Sequence, residues 1–242
     1  MKAPRQKDPA ANALPYDEGL PTPGNPGLSE NPLGELAFKH RFEKGSGKRT
    51  LLLLHGTGGD ENQLVSLARN VDPKASILSP RGAVDENGNL RFFRRNAEGV
   101  LDEADMTRRA SDLSRFILEA RRLYRLPPPF ALGYSNGANM AAATAFLHPR
   151  ILRGLILLRA VAPFRVNPSS DLAGMPALLV SGANDEVASV QRANELESGL
   201  RMAGASVTHH ILPIAHELSY SDGDQISSWL HRVQKCYPPK VD

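Results

Sequence analysis

Apolar residues fall along this chain in two rhythms, short unbroken runs and longer stripes at helical spacing. Residues 49–54 run into consecutive leucines, Leu51 to Leu54, the mark of a strand buried on both faces of a parallel sheet. Residues 75–79 (stopped by Pro80), 155–158, 176–181 and Ser206–Leu212 read the same way. Helical stretches alternate with them over 60–70, Glu103–Tyr124, the segment leaving Gly137, 191–203 closed by Gly204, and 219–232. In the longest, Ala110, Leu113, Ile117 and Ala120 recur at helical spacing as a buried stripe, and Pro127-Pro128-Pro129 ends it. Residues 37–42 alternate weakly and predict an edge strand with His40 exposed, and Asn87-Gly88-Asn89 predicts a turn between two short strands. Alternating strands and helices predict an α/β class, a doubly wound, mostly parallel sheet flanked by helices.

Ahead of this pattern, residues 1–32 are punctuated by Pro4, Pro9, Pro15, Pro21, Pro23, Pro26 and Pro32. Such a segment sustains neither a helix nor a central strand, so it is read as an extended or disordered extension, and 33–242 as the folded domain. The chain has 242 residues, 41% of them hydrophobic and 23% charged, enough for one sizeable core. A net charge of +3 gives no footprint for nucleic acid, and the arginines between Arg91 and Arg125 are read as a solvated face with interleaved acids. Cys236 is the single cysteine, so no intrachain disulfide forms and a cytoplasmic setting is expected. No apolar run is long enough to span a bilayer, and no secretory leader is visible.

The candidate chemistry centres on Gly133-Tyr134-Ser135-Asn136-Gly137. A serine between glycines, entered by a strand and left by a helix, reads as a nucleophile elbow, with the helix N-terminus aimed at the serine oxygen. A serine hydroxyl needs a base in reach and an acid to hold that base. Among the histidines that follow the serine, only His216 lies in a loop directly after a strand; His148 ends a helix, His209 and His210 sit in a strand, and His231 sits in a helix. The same rule selects Asp185 among the acids, with Glu186 and Glu217 as the nearest substitutes. His55-Gly56-Thr57-Gly58-Gly59 follows the leucine strand without a P-loop lysine and matches a loop that offers a backbone N–H to an oxyanion, His55 being structural. Phe92 and Phe93 suggest an aromatic wall for an acyl or aryl group; Gly56, Phe93 and Tyr134 are the candidate substrate-binding residues. Only a short polar stretch with Asn167, Pro168, Ser169 and Ser170 precedes the 176–181 strand, so no lid domain is expected and the mouth should be open.

Four strings carry a resemblance: Leu54-His55-Gly56-Thr57-Gly58-Gly59-Asp60-Glu61, Phe93-Arg94-Arg95 with Glu98-Gly99-Val100, Gly133 to Asn139, and His216-Glu217-Leu218-Ser219. Over roughly residues 38–229 the chain resembles bacterial carboxylesterases of the phospholipase/carboxylesterase and dienelactone-hydrolase-like group, within the α/β-hydrolases. The resemblance implies a serine esterase for short acyl or aryl esters, with no metal or organic cofactor and with Thr57 and Asn136 as backbone oxyanion donors. A small-molecule ester is the expected partner, with neither nucleic acid nor membrane, and the chain is expected to be a monomer or homodimer. Ala215 departs from it where glycine commonly precedes the histidine, and Arg159 where a neutral residue or histidine is usual. A thioesterase or lactonase would use the same machinery, and a non-catalytic binding protein of this fold is the alternative from another class.

Overall fold

The computed structural model describes residues 36–97, 100–165 and 169–236. The expectations placed on residues 1–32, on Glu98 and Gly99, and on Asn167 and Pro168 lie outside the described residues. In chain order the elements are β1 (His40–Glu43), β2 (Thr50–Leu54), α1 (Val65–Val71), β3 (Ser76–Pro80), β4 (Val84–Glu86), β5 (Asn89–Arg91), β6 (Arg95–Ala97) and β7 (Val100–Leu101). They continue with α2 (Glu103–Tyr124), β8 (Phe130–Tyr134), α3 (Asn136–Leu147), β9 (Gly154–Leu158), β10 (Pro176–Gly182), α4 (Val190–Met202), β11 (Ser206–Leu212) and α5 (Tyr220–Cys236).

A seven-stranded sheet runs in the order β1-β3-β2-β8-β9-β10-β11. Only β1 is antiparallel to its neighbour; every other pairing is parallel. The leucines of β2 show how the helices divide between the faces. Leu52 and Leu54 join one core with α2, α3 and α4 through Phe116, Met140 and Leu196, while Leu51 and Leu53 join another with α1 and α5 through Ala68 and Trp229. Successive strand residues point to opposite faces, so an unbroken leucine run serves both. This is the α/β-hydrolase architecture expected of the sequence. The connection 159–175 carries no helix or strand among its described residues, and no helix among them is long and apolar enough to cross a membrane.

The helix expected over 60–70 begins only at Val65. Ahead of it the Asp60 carboxylate accepts the Asn62 N–H, and Gln63 and Val65 donate to carbonyls three residues back. These tight turns take up the backbone groups that a helical start would have used. His40 is not exposed as expected. Its imidazole bonds the Tyr124 hydroxyl and the Phe38 carbonyl, both at 2.8 Å, and packs edge-on against Phe116. Strand β1 lies along the end of α2, so an outward residue of the strand meets a helix rather than water.

The sheet order reverses between β2, which leads outward to β3, and β8, which leads the other way to β9. At such a switch point the strand ends part and leave a crevice. Helix α3 crosses it closely: a Cβ on Gly137 would lie 2.1 Å from the Leu54 carbonyl oxygen. Gly137→Ala is therefore expected to lower the unfolding free energy by about 1–3 kcal/mol or more, read by urea denaturation. A variant as stable as the parent would show that α3 can move away freely.

Candidate active site

Strand β8 turns into α3 at Ser135, whose backbone adopts φ 50° and ψ −113°. A non-glycine residue there is strained and persists only where its surroundings over-determine it. Those surroundings are its neighbours. The Ser135 N–H is held by the Leu158 carbonyl at 2.9 Å, and a Cβ on Gly133 would lie 2.6 Å from the Ala138 Cα. Ser135 thus stands partly exposed at the head of α3. The first N–H groups of that helix, Asn136 among them, have no acceptor within it and make its end electropositive.

The loops after β10 and β11 bring two more side chains to this point. His216 Nε2 lies 3.0 Å from Ser135 Oγ, and His216 Nδ1 lies 2.8 Å from Asp185 Oδ2. The other Asp185 oxygen accepts the N–H groups of Val187 and Ala188 at 2.9 and 2.7 Å. A carboxylate so held is fixed in direction and offers one oxygen to the imidazole. The row requires His216 to carry its proton on Nδ1 and leaves Nε2 free to accept from the serine hydroxyl. Glu186 and Glu217 are exposed, and the acid that bonds His216 is Asp185. His148 contacts Ser111 instead, and His209 bridges Ser181 and Glu197.

On the β2 side of the crevice, His55 is buried. Its Nδ1 lies 2.7 Å from the Gly56 carbonyl and its Nε2 accepts the Gly82 N–H at 2.9 Å. Gly59 N–H donates to the same Gly56 carbonyl. Carbonyl and N–H of one peptide point in opposite directions, so fixing the Gly56 carbonyl also fixes the direction of the Thr57 N–H. The Thr57 hydroxyl accepts from Arg91 at 2.7 Å.

Known proteins resemble the chain in sequence and in fold. MhqD of Bacillus subtilis (strain 168), whose name places it provisionally among the hydrolases, is 41% identical over 194 residues, 79% of this chain and 97% of that protein. The crystal structure of the Bacillus cereus carboxylesterase is 40% identical with a TM-score of 0.79, covering 81% of this chain and 94% of its own. The Mesorhizobium loti carboxylesterase is 32% identical with a TM-score of 0.79, covering 82% and 97%. The chain belongs to the bacterial carboxylesterases of the α/β-hydrolase superfamily. No family model matches it.

Around the elbow of this carboxylesterase, Phe93 and Arg91 are placed differently from expectation. Phe93, expected in an aromatic wall, is fully buried in the core with Arg91 over its ring at 5.7 Å, so it presents no face to a substrate. Tyr134 carries its ring beneath Gly56, where a Cβ would approach it to 2.7 Å, and donates its hydroxyl to the His216 carbonyl at 3.1 Å. Gly56 thereby lies on tyrosine rather than facing open space. Arg91, assigned with its neighbours to a solvated face, is only 5% exposed and ties Thr57 to the Phe93 carbonyl. The short strand β5 runs from exposed Asn89 through half-buried Leu90 to buried Arg91, so alternation gave no signal for it. A groove of about 860 Å³ opens beside α4, lined by residues such as Leu101, Phe164, Gln191 and Glu195; Ser135, Asp185 and His216 are not among its lining residues.

Burial holds the His55 imidazole below its ordinary value despite the opposing Gly56 carbonyl and nearby Asp60 and Glu61. A group whose folded pKa is depressed gives full stability above its unfolded value and loses it as pH falls through the folded one. Half-buried His148 is shifted in the same direction by desolvation. The melting temperature should therefore fall as pH drops from about 7 to about 5, below the unfolded imidazole value near 6.5. The dependence should shrink, though not vanish, in His55→Asn. An unchanged slope in that variant, by scanning calorimetry, would contradict the burial of a neutral His55.

Proposed function

We propose that the chain is a serine carboxylesterase that cleaves short acyl or aryl esters through an acyl-enzyme on Ser135. The observation carrying this reading is the continuous row Ser135–His216–Asp185 at a strained strand-to-helix turn. Family membership supports ester hydrolysis as the reaction class. The row supplies the chemistry: His216 Nε2 removes the hydroxyl proton as Ser135 Oγ attacks the ester carbonyl, and Asp185 stabilises the imidazolium that forms. Negative charge then develops on the former carbonyl oxygen, where the N–H groups of Thr57 and Asn136 serve as donors. Such preorganised donors are worth roughly 10²–10³ each in turnover. Collapse of the intermediate breaks the ester C–O bond, and the alcohol leaves with the proton from His216. Water, deprotonated by the same imidazole, attacks the acyl carbonyl, and Ser135 recovers its proton as the carboxylic acid departs.

The short-acyl preference rests on the 159–175 connection, which supplies no helical cover among its described residues. Hydrolysis of p-nitrophenyl esters from acetate to palmitate should be fastest at the short end. Ser135→Ala should lower kcat by at least about 10⁴-fold while leaving the fold intact. Retained turnover in that variant would refute the assignment of Ser135, and a maximum at palmitate would refute the preference for short esters.

A further inference from the structure

Arg159 is one of the least expected residues in this interior. It directly follows β9, adopts φ 54°, and its side chain is 0% exposed, as is that of its partner Asp222. A buried guanidinium is tolerable only when its donors are all engaged. Here five donors meet five acceptors. Nη1 donates to Asp222 Oδ1 at 2.8 Å and to the Val180 carbonyl at 3.2 Å, and Nη2 donates to Asp222 Oδ2 and to the Glu217 carbonyl, both at 2.8 Å. Nε donates to the Ala215 carbonyl at 3.2 Å. Asp222 Oδ2 also accepts the N–H and hydroxyl of Ser219 at 2.7 and 3.2 Å, closing the start of α5.

Two of the three carbonyls that Arg159 holds, those of Ala215 and Glu217, lie immediately before and after His216. The carbonyl between them, that of His216, takes the Tyr134 hydroxyl. Three successive peptides are thus each held by a side chain reaching up from the sheet, and the imidazole between them has its direction set. We propose that the Arg159–Asp222 pair is the positioning device of His216, holding its ring in line between Asp185 and Ser135. This rests on the reading of that row as the catalytic one. Stability alone does not call for the pair, because well-packed apolar residues commonly serve a core as well as a buried ion pair does. Asp222 also cancels the guanidinium charge beneath a histidine that must itself become positive.

The test is the double variant Arg159→Met/Asp222→Asn, which leaves no buried charge alone and keeps an oxygen for Ser219. Arg159→Lys accompanies it; lysine keeps the charge opposite Asp222, but its compact ammonium cannot span both flanking carbonyls. Active sites are titrated with a fluorophosphonate, and kcat and KM are measured on p-nitrophenyl acetate. The downfield Nδ1–H resonance of His216 is followed in ¹⁵N-histidine-labelled protein and assigned by its loss in His216→Gln. Both variants should show KM near the parent value, kcat per titrated site lowered about 10–100-fold, and a broadened or lost Nδ1–H resonance. Parental kcat per site in a folded variant overturns the proposal, and so does a lowered kcat with an unchanged resonance. Should the double variant not fold, Arg159→Lys decides by the same criteria. If the parent turns over no ester, the reading of Ser135 fails separately, and the resonance alone decides the positioning role.

Discussion

The close approach of α3 to the sheet is the constraint on which the rest of this molecule depends. Because Gly137 brings the helix against the Leu54 and His55 carbonyls, the chain must turn from β8 into α3 within a single strained residue. That residue is Ser135. The same closeness places the free N–H groups of the helix beside the loop that leaves β2, at the point where the strand order reverses. A looser crossing would relax Ser135 out of the left-handed region and carry the helix end away from the Thr57 loop. The energy stored in one backbone torsion is recovered from the apolar packing of α3, buried along almost its whole length.

Position along the sheet then decides how each partner must be held. Asp185 follows β10, which is paired on both sides, and two backbone N–H groups suffice to aim it. His216 follows β11, the edge strand, beyond which no further strand pairs among the described residues. The loop is tied inward instead, by Tyr134 from the elbow and by Arg159 from the end of β9. On the opposite side, His55 and Arg91 do the same for the glycine loop, one gripping the Gly56 carbonyl and the other the Thr57 hydroxyl. Backbone geometry on both flanks of Ser135 is therefore set by buried polar side chains, each with its hydrogen bonds largely satisfied.

Much of this was legible in the sequence because periodicity and chain order report what packing demands. The apolar stripe of α2 gave its bounds, and the leucine run of β2 gave a strand covered on both faces. The glycine-flanked elbow singled out the serine, and chain order together with a place in the loop after a strand singled out the acid and histidine whose side chains the structure brings into one row. What stayed hidden was polar and buried. Arg91 and Arg159 look like surface residues in any composition, since arginine is almost never fully buried unless paired, and their partners lie 34 and 63 residues away. Phe93 was rightly apolar, but sequence could not tell a core ring from a pocket wall. The late start of α1 came from the Asp60 turn, a local competition that helix propensity does not register.

The central claim is that Ser135 is made nucleophilic by this framework. It is tested most directly by exposing the protein to a fluorophosphonate and locating the adduct by peptide mass spectrometry. One phosphonyl group per chain on the peptide containing Ser135, absent when His216 is replaced by alanine, is the predicted result. No adduct on the intact protein, or one on another serine such as Ser181 beside His209, would contradict it.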